Sequence, residues 1–441
     1  MSAVTAPAEA RAASLDKPLN ALVVGLNYAP ESTGIAPYTT GLARGLSRRG
    51  HRVRAIVAHP HYPAWKVHDG YGGWTTREAL DGVDVTRVRH YIPTKPSGIR
   101  RLVSEISFGL RVSFTRWGNP DVIVSVSPAL FATAIAVVRA KLSRAAPAVH
   151  VWVQDIYGLG MTETGSGGRM AAKIATLVEK HTLRAATGVV VIHPRFRDHL
   201  VSSLGVDPAR VRVIRNWTHL EHHSETDPAG FRAAQGWAAD ETIVLHAGNM
   251  GVKQGLANVV DAARLADRSG HRVRFVLLGR GTQKDDLKAL GADVTRLQFL
   301  DSLDDADFQA ALRAADILLV NELPGVSEMA VPSKLTSYFD AGRPVIAATD
   351  PAGVTAGEIY ASKGGRVVKA GEPQALLDEA LALGADPARA DELGAAGHKY
   401  RVDVLGEDGA LASFTSYFRQ VEVDAGVRTE TVAVEANRVE A

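Results

Sequence analysis

The chain contains no cysteine, which excludes disulfides, thiolate metal sites and a cysteine nucleophile, and fits a reducing compartment. No apolar run approaches the roughly 20 residues needed to span a bilayer, and no apolar signal segment stands near the start. The glycine fingerprint of dinucleotide-binding folds is missing after the first strand. No acidic residue stands at the end of the second strand to hold a ribose, so a nicotinamide cofactor is disfavoured.

What is present is enough chain for two cores: 441 residues, 46% of them hydrophobic, exceed one comfortable domain. The net charge of +2 conceals a polar distribution. Residues 1–220 carry 28 Lys and Arg against 14 Asp and Glu, a balance of +14, while the remainder carries 22 against 34, or −12. A basic half suits an anionic surface, lipid or nucleic acid, and an acidic half argues against nucleic acid wrapping the whole molecule. Opposed charges that simply attract across a cleft fit the same count.

The chain opens as a βαβ unit. Residues 22–26 form a buried-type strand, Tyr38, Leu42 and Leu46 share a helical face, Gly50 stops that helix, and residues 53–58 form the next strand. The intervening loop carries Glu31, Ser32, Thr33 and Gly34 at the carboxyl end of a strand, where open parallel sheets bind ligands. His59, His61 and His68 follow in HPHYPAWKVHDGY. Their Pro and aromatic neighbours point to an ordered loop, and no metal is expected there.

Over residues 99–117, Ile99, Leu102, Val103, Ile106, Leu110, Phe114 and Trp117 recur at three and four positions, with Arg100, Arg101, Arg111 and Arg116 among the rest. Two readings fit this basic amphipathic helix: its stripe faces the core, or it lies on an anionic membrane interface. Apolar runs at 122–126, 149–153 and 189–192, separated by helical stretches at 129–142 and 169–184, predict a doubly wound sheet. Asp155 stands just beyond one of these strands, placed either to touch a substrate hydroxyl or to cap the next turn. Asn216-Trp217-Thr218 is a formal glycosylation sequon, discounted because nothing directs the chain to a secretory route.

Residues 217–240 hold Pro228, Gly230 and Gly236 without a clear strand and make the best domain boundary. The alternation then restarts with strands at 242–247, 273–278 and 296–300 and a helix at 256–267. In the loop GNMGVKQG, Gly248, Gly251 and Gly255 let backbone approach a ligand, while Asn249, Lys253 and Gln254 offer donors suited to a diphosphate. In AVPSKLTSYFDAGRPVIAAT, residues 330–349, Pro332 and Gly342 bracket a short helix that begins at Ser333 and Lys334, a hydroxyl and an ammonium beside free amides. Two donor-rich segments in one domain favour a nucleotide diphosphate over the alternative of tight turns with exposed lysines.

NYAPESTGIAPYT, GNMGVKQGL, FVLLGRG, LQFLD and VPSKLTSYFDAGRPVIA together resemble glycosyltransferase family 4, specifically the colanic-acid-biosynthesis type, over most of residues 20–420. The resemblance implies an α/β GT-B fold: two doubly wound Rossmann-like domains facing a central cleft. It also implies a retaining transferase that needs no metal or other cofactor, with the nucleotide-sugar on the C-terminal domain and the acceptor on the N-terminal one. Gly34 and Gly279 then approach the donor, Phe299 and Leu300 lie against the base, and Ser333 and Lys334 hold phosphate. Asn249 stands where the family has Arg and Gln254 where it has Lys, with Lys253 supplying charge one position earlier. Of the family's paired glutamates, the second falls on Ser337 and the first on Met329, with Glu328 beside it. Asp155 and Glu328 are the candidates for positioning acceptor and donor hydroxyls.

The expected organisation is a disordered lead over 1–18, an acceptor domain over 19–216, a linker over 217–240, a donor domain over 241–421 whose last helix returns to the first domain, and a disordered tail over 422–441. The expected reaction is transfer from a UDP- or GDP-sugar to a lipid-linked saccharide in exopolysaccharide, capsule or O-antigen-type assembly. Arg100, Arg101, Arg111, Phe114 and Trp117 would seat the enzyme on the anionic inner face of the cell membrane, with no nucleic-acid partner. A sugar-nucleotide epimerase of similar plan and an inactive nucleotide-binding scaffold are the alternatives.

Overall fold

The structure, a computed structural model, describes residues 17–32, 34–95, 98–163, 168–217, 226–326 and 334–420. Residues 1–16 of the lead expected over 1–18, the tail expected over 422–441, and Glu328 and Ser333 of the candidate site lie outside the described residues. The chain divides into two units, one of residues 1–215 with 408–441 and one of residues 216–407.

In the first unit, strands β1 (Asn20–Gly25), β2 (Arg52–Ala58), β3 (Thr75–Leu80), β4 (Val83–Val88), β5 (Val122–Ser127), β6 (Ala148–Val153), β7 (Gly188–Val191) and β8 (Val211–Val213) form one sheet. Its order is β3-β4-β2-β1-β5-β6-β7-β8. The inner strands are apolar runs because helices cover both faces, and every residue of β5 is buried. Only β3 runs antiparallel, paired to β4 through Asp81-Gly82. Both turn residues have positive φ, 52° and 78°, as a tight hairpin of this hand requires.

The second unit holds β9 (Thr242–Ala247), β10 (Val273–Leu278), β11 (Leu297–Leu300), β12 (Ile317–Asn321), β13 (Val345–Thr349) and β14 (Gly365–Lys369), all parallel. Their order is β11-β10-β9-β12-β13-β14. The order reverses between β9 and β12, so the loops leaving those two strands diverge to opposite faces and open a crevice at their carboxyl ends. Both faces of the sheet carry buried apolar clusters. Each unit is thus a Rossmann-like doubly wound sheet.

Two sequence expectations change, over residues 226–240 and at Trp117. Residues 226–240 are body of the second unit rather than linker: Pro228–Ala234 is a helix capped by Asp227, Arg232 bonds Asp316 and three backbone carbonyls, and Trp237 is buried. A final helix over residues 407–420 packs on the first unit, placing Phe414, Tyr417 and Phe418 in its core and Leu411 against Gly45. Trp117 is no membrane contact. The helix ends earlier, at Gly98–Ser113, and Trp117 is only 6% exposed, its indole N–H donating to Val112 O at 3.0 Å under the Arg139 guanidinium.

The remaining membrane candidates divide. Glu105, Phe108, Gly109 and Val112 are the buried face of the Gly98–Ser113 helix, while Phe114 is 85% exposed and Ile99, Val103 and Leu110 are exposed as well. Arg100 faces solvent, Arg101 pairs with Glu105, and Arg111 stacks on Trp74 and bonds its carbonyl at 2.7 Å. Among the described residues no helix is long and apolar enough to cross a membrane.

Candidate functional site

At the carboxyl end of β9, Gly248 has a φ of +131° and Gly279, at the end of β10, +132°. The two loops lie flush. Gly248 N donates to Leu278 O at 2.9 Å and Met250 N to Arg280 O at 2.8 Å, and a Cβ on Gly279 would stand 2.1 Å from Gly248 O. Backbone angle favours glycine at both positions, and at Gly279 the close approach requires it as well. The result is a floor of bare backbone beside the β9/β12 crevice.

Lys334 borders that floor. It opens the Lys334–Asp340 helix, and its Nζ stands 3.2 Å from Nε2 of His246 and 3.6 Å from where a Gly248 Cβ would be. The ammonium donates, so the imidazole is neutral and carries its proton on Nδ1. That nitrogen is buried and has no partner at hydrogen-bonding geometry, although backbone of Asn249 and Leu319 lies near enough to favour the proton. Burial first, then the Lys334 charge, push the His246 pKa well below the ordinary histidine value. Lys334 keeps some accessible surface, yet burial pulls its pKa down to about 7 against a smaller upward pull from Glu322. A cation left this short of counter-charge is primed for an anionic ligand.

The surroundings hold this geometry. One turn along the helix, the buried Tyr338 hydroxyl accepts from Ala247 N at 2.8 Å and lies 3.2 and 3.3 Å from the carbonyls of Ala247 and Leu319, fastening the helix to both switch-point strands. Asn321 Nδ2 donates to the carbonyls of Gln254 and Gly255 at 2.8 and 3.0 Å, and Leu323 N to Lys253 O at 2.8 Å, so the loops after β9 and β12 move as one. The Glu322 carboxylate accepts from Thr355 at 2.6 Å and from Thr349.

Of the residues singled out in the sequence, Gly248, Gly279, Asn249 and Lys334 gather at these strand ends. Asn249 and Lys253 are exposed on the loop. Gln254 stabilises its own turn, where Oε1 accepts from Gly251 N at 3.1 Å, leaving only its amide group for a ligand. Phe299 and Leu300 lie on β11, where Leu300 O accepts from Gly279 N at 3.0 Å. Ser337 is buried behind Lys334. His246, Tyr338, Asn321 and Lys284 escape sequence reasoning. Lys284 Nζ ties Gly279 O, Leu300 O and Asp301 at 2.8, 3.1 and 2.7 Å, joining the ends of β10 and β11. No local signal marks these residues, because each joins strand ends that meet only in the fold.

In the first unit the loop after β1 is built around Glu31. Its side chain is buried, with Oε1 accepting from His61 N at 2.7 Å and Tyr62 N at 2.8 Å, and Oε2 from Asn27 Nδ2 at 2.8 Å. Gly34, at a φ of +66°, abuts the Tyr62 ring. Buried Arg87 donates to Ala29 O at 2.6 Å. His59 brackets Gly72-Gly73, donating from Nε2 to Gly73 O at 2.8 Å, and His61 Nδ1 donates to His59 O at 2.8 Å. Among the described residues no group of three or more His, Asp or Glu side chains is placed to hold a metal.

Asp155 follows β6 on a partly exposed segment. The next residues are clamped from below: Glu179 accepts from Tyr157 N and Gly158 N at 2.8 and 3.0 Å, and Glu105 from the Tyr157 hydroxyl at 3.3 Å. Burial raises the Tyr62 pKa, Arg101 opposes it, and Asp155 and Glu31 add to it. Asp155, Arg101 and Tyr62 therefore lie within electrostatic reach at the carboxyl edge of the sheet, an arrangement able to orient a hydroxyl-rich molecule.

A glycosyl transferase 4-like domain family matches residues 33–217, and the family of glycosyl transferases group 1 matches residues 241–386. The chain is 32% identical over 335 residues to a putative colanic acid biosynthesis glycosyl transferase of Escherichia coli, covering 73% of this chain and 81% of that one. Sucrose-phosphate synthase from Thermosynechococcus elongatus superposes with a TM-score of 0.71 at 18% identity, over 92% of this chain and 99% of that one. Anabaena HepE in complex with UDP-glucose gives 0.65 at 17%, over 90% and 99%. At such identities these structures speak for the fold alone.

Proposed function

Because the chain belongs to glycosyltransferase family 4, with the GT-B fold, and is a glycosyltransferase, we propose that it transfers a sugar from a UDP- or GDP-sugar to a lipid-linked saccharide, with retention of configuration and without a metal, in surface polysaccharide assembly. The observation that carries the donor half is the Lys334 ammonium beside Gly248 at the β9/β12 switch point. The names of the colanic acid relative and of the UDP-glucose complex support the polysaccharide and nucleotide-sugar parts.

The chemistry requires the protein to stabilise charge that develops on the departing diphosphate. Lys334 and Lys253, beside the glycine backbone of the Gly248 loop, would do so, and they gain most when the leaving oxygen carries full charge. That oxygen can take the proton of the acceptor hydroxyl on the same face of the sugar, so no protein nucleophile is needed. Asp155, with Tyr62 and Arg101, orients the acceptor. Glu328 and Ser333 complete the donor side in this proposal. The exposed Ile99, Val103, Leu110 and Phe114 beside Arg100 support peripheral seating on an anionic membrane, on the cytoplasmic face where nucleotide-sugars are made.

The test is incubation with a panel of UDP- and GDP-sugars in EDTA, with and without prenyl-diphosphate-linked saccharides. Nucleotide released only in the presence of acceptor, with the anomeric configuration of the donor kept in the product, is the expected result. An altered nucleotide-sugar formed without acceptor would make the protein an epimerase, and binding without turnover would make it a scaffold.

A further inference from the structure

The apolar surface of the first unit is wider than one helix. The helices Gly98–Ser113, Leu130–Leu142 and Gly168–Ala185 carry the chain from β4 to β5, β5 to β6 and β6 to β7. Each step moves the same way along the sheet, so right-handed crossovers put all three on one face. They contact one another in that order. The second exposes Val138 and Leu142, the latter by 81%; the third exposes Met170, by 71%, with Ile174 and Leu177. Spacings of four and of four and three residues line these side chains along each helix.

The exposed charges of these three helices have one sign. The only carboxylates in the three helices, Glu105 and Glu179, are buried, whereas Lys141, Arg169 and Lys173 are exposed. Between the third helix and the Ser203–Leu204 turn lies a recess of about 650 Å³ that brings Lys180 and Leu204 into the same surface. Apolar side chains interleaved with cations, and no exposed acid within these three helices, match an anionic bilayer. A second copy of the chain would set these cations against their own kind, and a nucleic acid would leave the apolar residues unburied.

We infer that the Leu130–Leu142 and Gly168–Ala185 helices, through Leu142, Met170, Ile174 and Leu177 with Lys173, join the Gly98–Ser113 helix in one membrane-contacting face, so that the first unit lies flat on an anionic bilayer. The inference rests on the membrane-surface part of the proposed function and fixes which residues meet lipid. The opposite face, with the Ala36–Arg48 helix and the helix over 407–420, remains in water.

Sedimentation with vesicles of phosphatidylcholine, with and without phosphatidylglycerol, tests it on the full chain. The double variant I174E/L177E should lose roughly tenfold or more in affinity for the anionic vesicles, as F114E should, because each removes apolar contact and adds repulsion. Its circular dichroism and its thermal shift with UDP or GDP should match the parent. Anionic vesicles should also slow amide exchange in residues 130–142 and 168–180 but not in 36–48. If I174E/L177E binds as the parent does while F114E fails, the contact is one helix and the inference is overturned, the membrane proposal standing. If the parent itself ignores phosphatidylglycerol, both fall. If the double variant changes only oligomeric state by light scattering, the face joins copies of the chain and the inference is overturned.

Discussion

Lys334 Nζ and His246 Nε2, 3.2 Å apart, join two elements that lie 88 positions apart in the sequence. The pairing places a cation of depressed pKa at the point where the strand order of the second unit reverses, with a neutral imidazole holding it from behind. It costs stability without ligand and offers charge to one that arrives.

Proton linkage follows from the Lys334 pKa of about 7. A diphosphate raises that pKa, so binding takes up a proton and UDP or GDP affinity should fall as pH rises through 7 toward 9. Calorimetry in buffers of different ionisation enthalpy measures the uptake. For folding the sign is opposite to a gained ion pair: the unfolded lysine binds its proton more tightly than the folded one, so the penalty is full below pH 7 and fades as pH approaches the ordinary lysine value. The ligand-free K334M protein should therefore be more stable than the parent at pH 6, with the gap narrowing by pH 9.

Gly279→Ala should part the loops after β9 and β10. Its φ of +132° is foreign to alanine and the new Cβ would meet Gly248 O at 2.1 Å, so a strain of about 1–3 kcal/mol or a parted pair of loops follows. The expected result is a lower melting temperature and loss of the shift produced by nucleoside diphosphates. Parent-like values in both would show that the loops tolerate separation.

His150 sets an acid limit on the first unit. It is buried between Tyr417 and Phe418, with ring centroids at 5.1 and 4.8 Å, neither nitrogen has a partner, and burial lowers its pKa to about 3. The unfolded histidine binds a proton first, so stability is present above pH 6.5 and is lost as pH falls toward 3, by up to about 1.4 kcal/mol per pH unit. H150L should weaken this dependence, measured as urea midpoints at pH 5 and pH 7.

Glu31 holds the loop after β1. Glu31→Ala leaves the buried His61 amide and the partly buried Tyr62 amide without their acceptor and should cost about 1–3 kcal/mol, while Glu31→Gln keeps an acceptor oxygen and most of the stability. Urea unfolding gives the cost, and faster proteolysis between residues 59 and 73 in the alanine variant alone gives the place.

The two-unit alternation is legible in the sequence because strands buried on both faces leave unbroken apolar runs such as residues 317–320. The β3–β4 hairpin is not, despite its Asp-Gly turn. β3 is an edge strand, exposed over nearly its whole length, and carries no apolar period. Helical spacing leads from Phe114 to Trp117 because periodicity does not mark where a helix stops. The glycine-rich loop over residues 248–255 could be placed from residue type alone. His246 and Tyr338 could not, since an imidazole or a phenol in an apolar stretch looks like core until the strand order brings the Lys334 helix beside it.

The most direct measurement is the melting temperature of the parent and of K334M with UDP, GDP and their monophosphates in EDTA. A diphosphate held by the Lys334 ammonium predicts that one nucleoside diphosphate stabilises the parent more than its monophosphate does, and that this difference disappears in K334M. An equal diphosphate shift in both proteins, or none in the parent, would contradict the assignment of the β9/β12 switch point as the donor site.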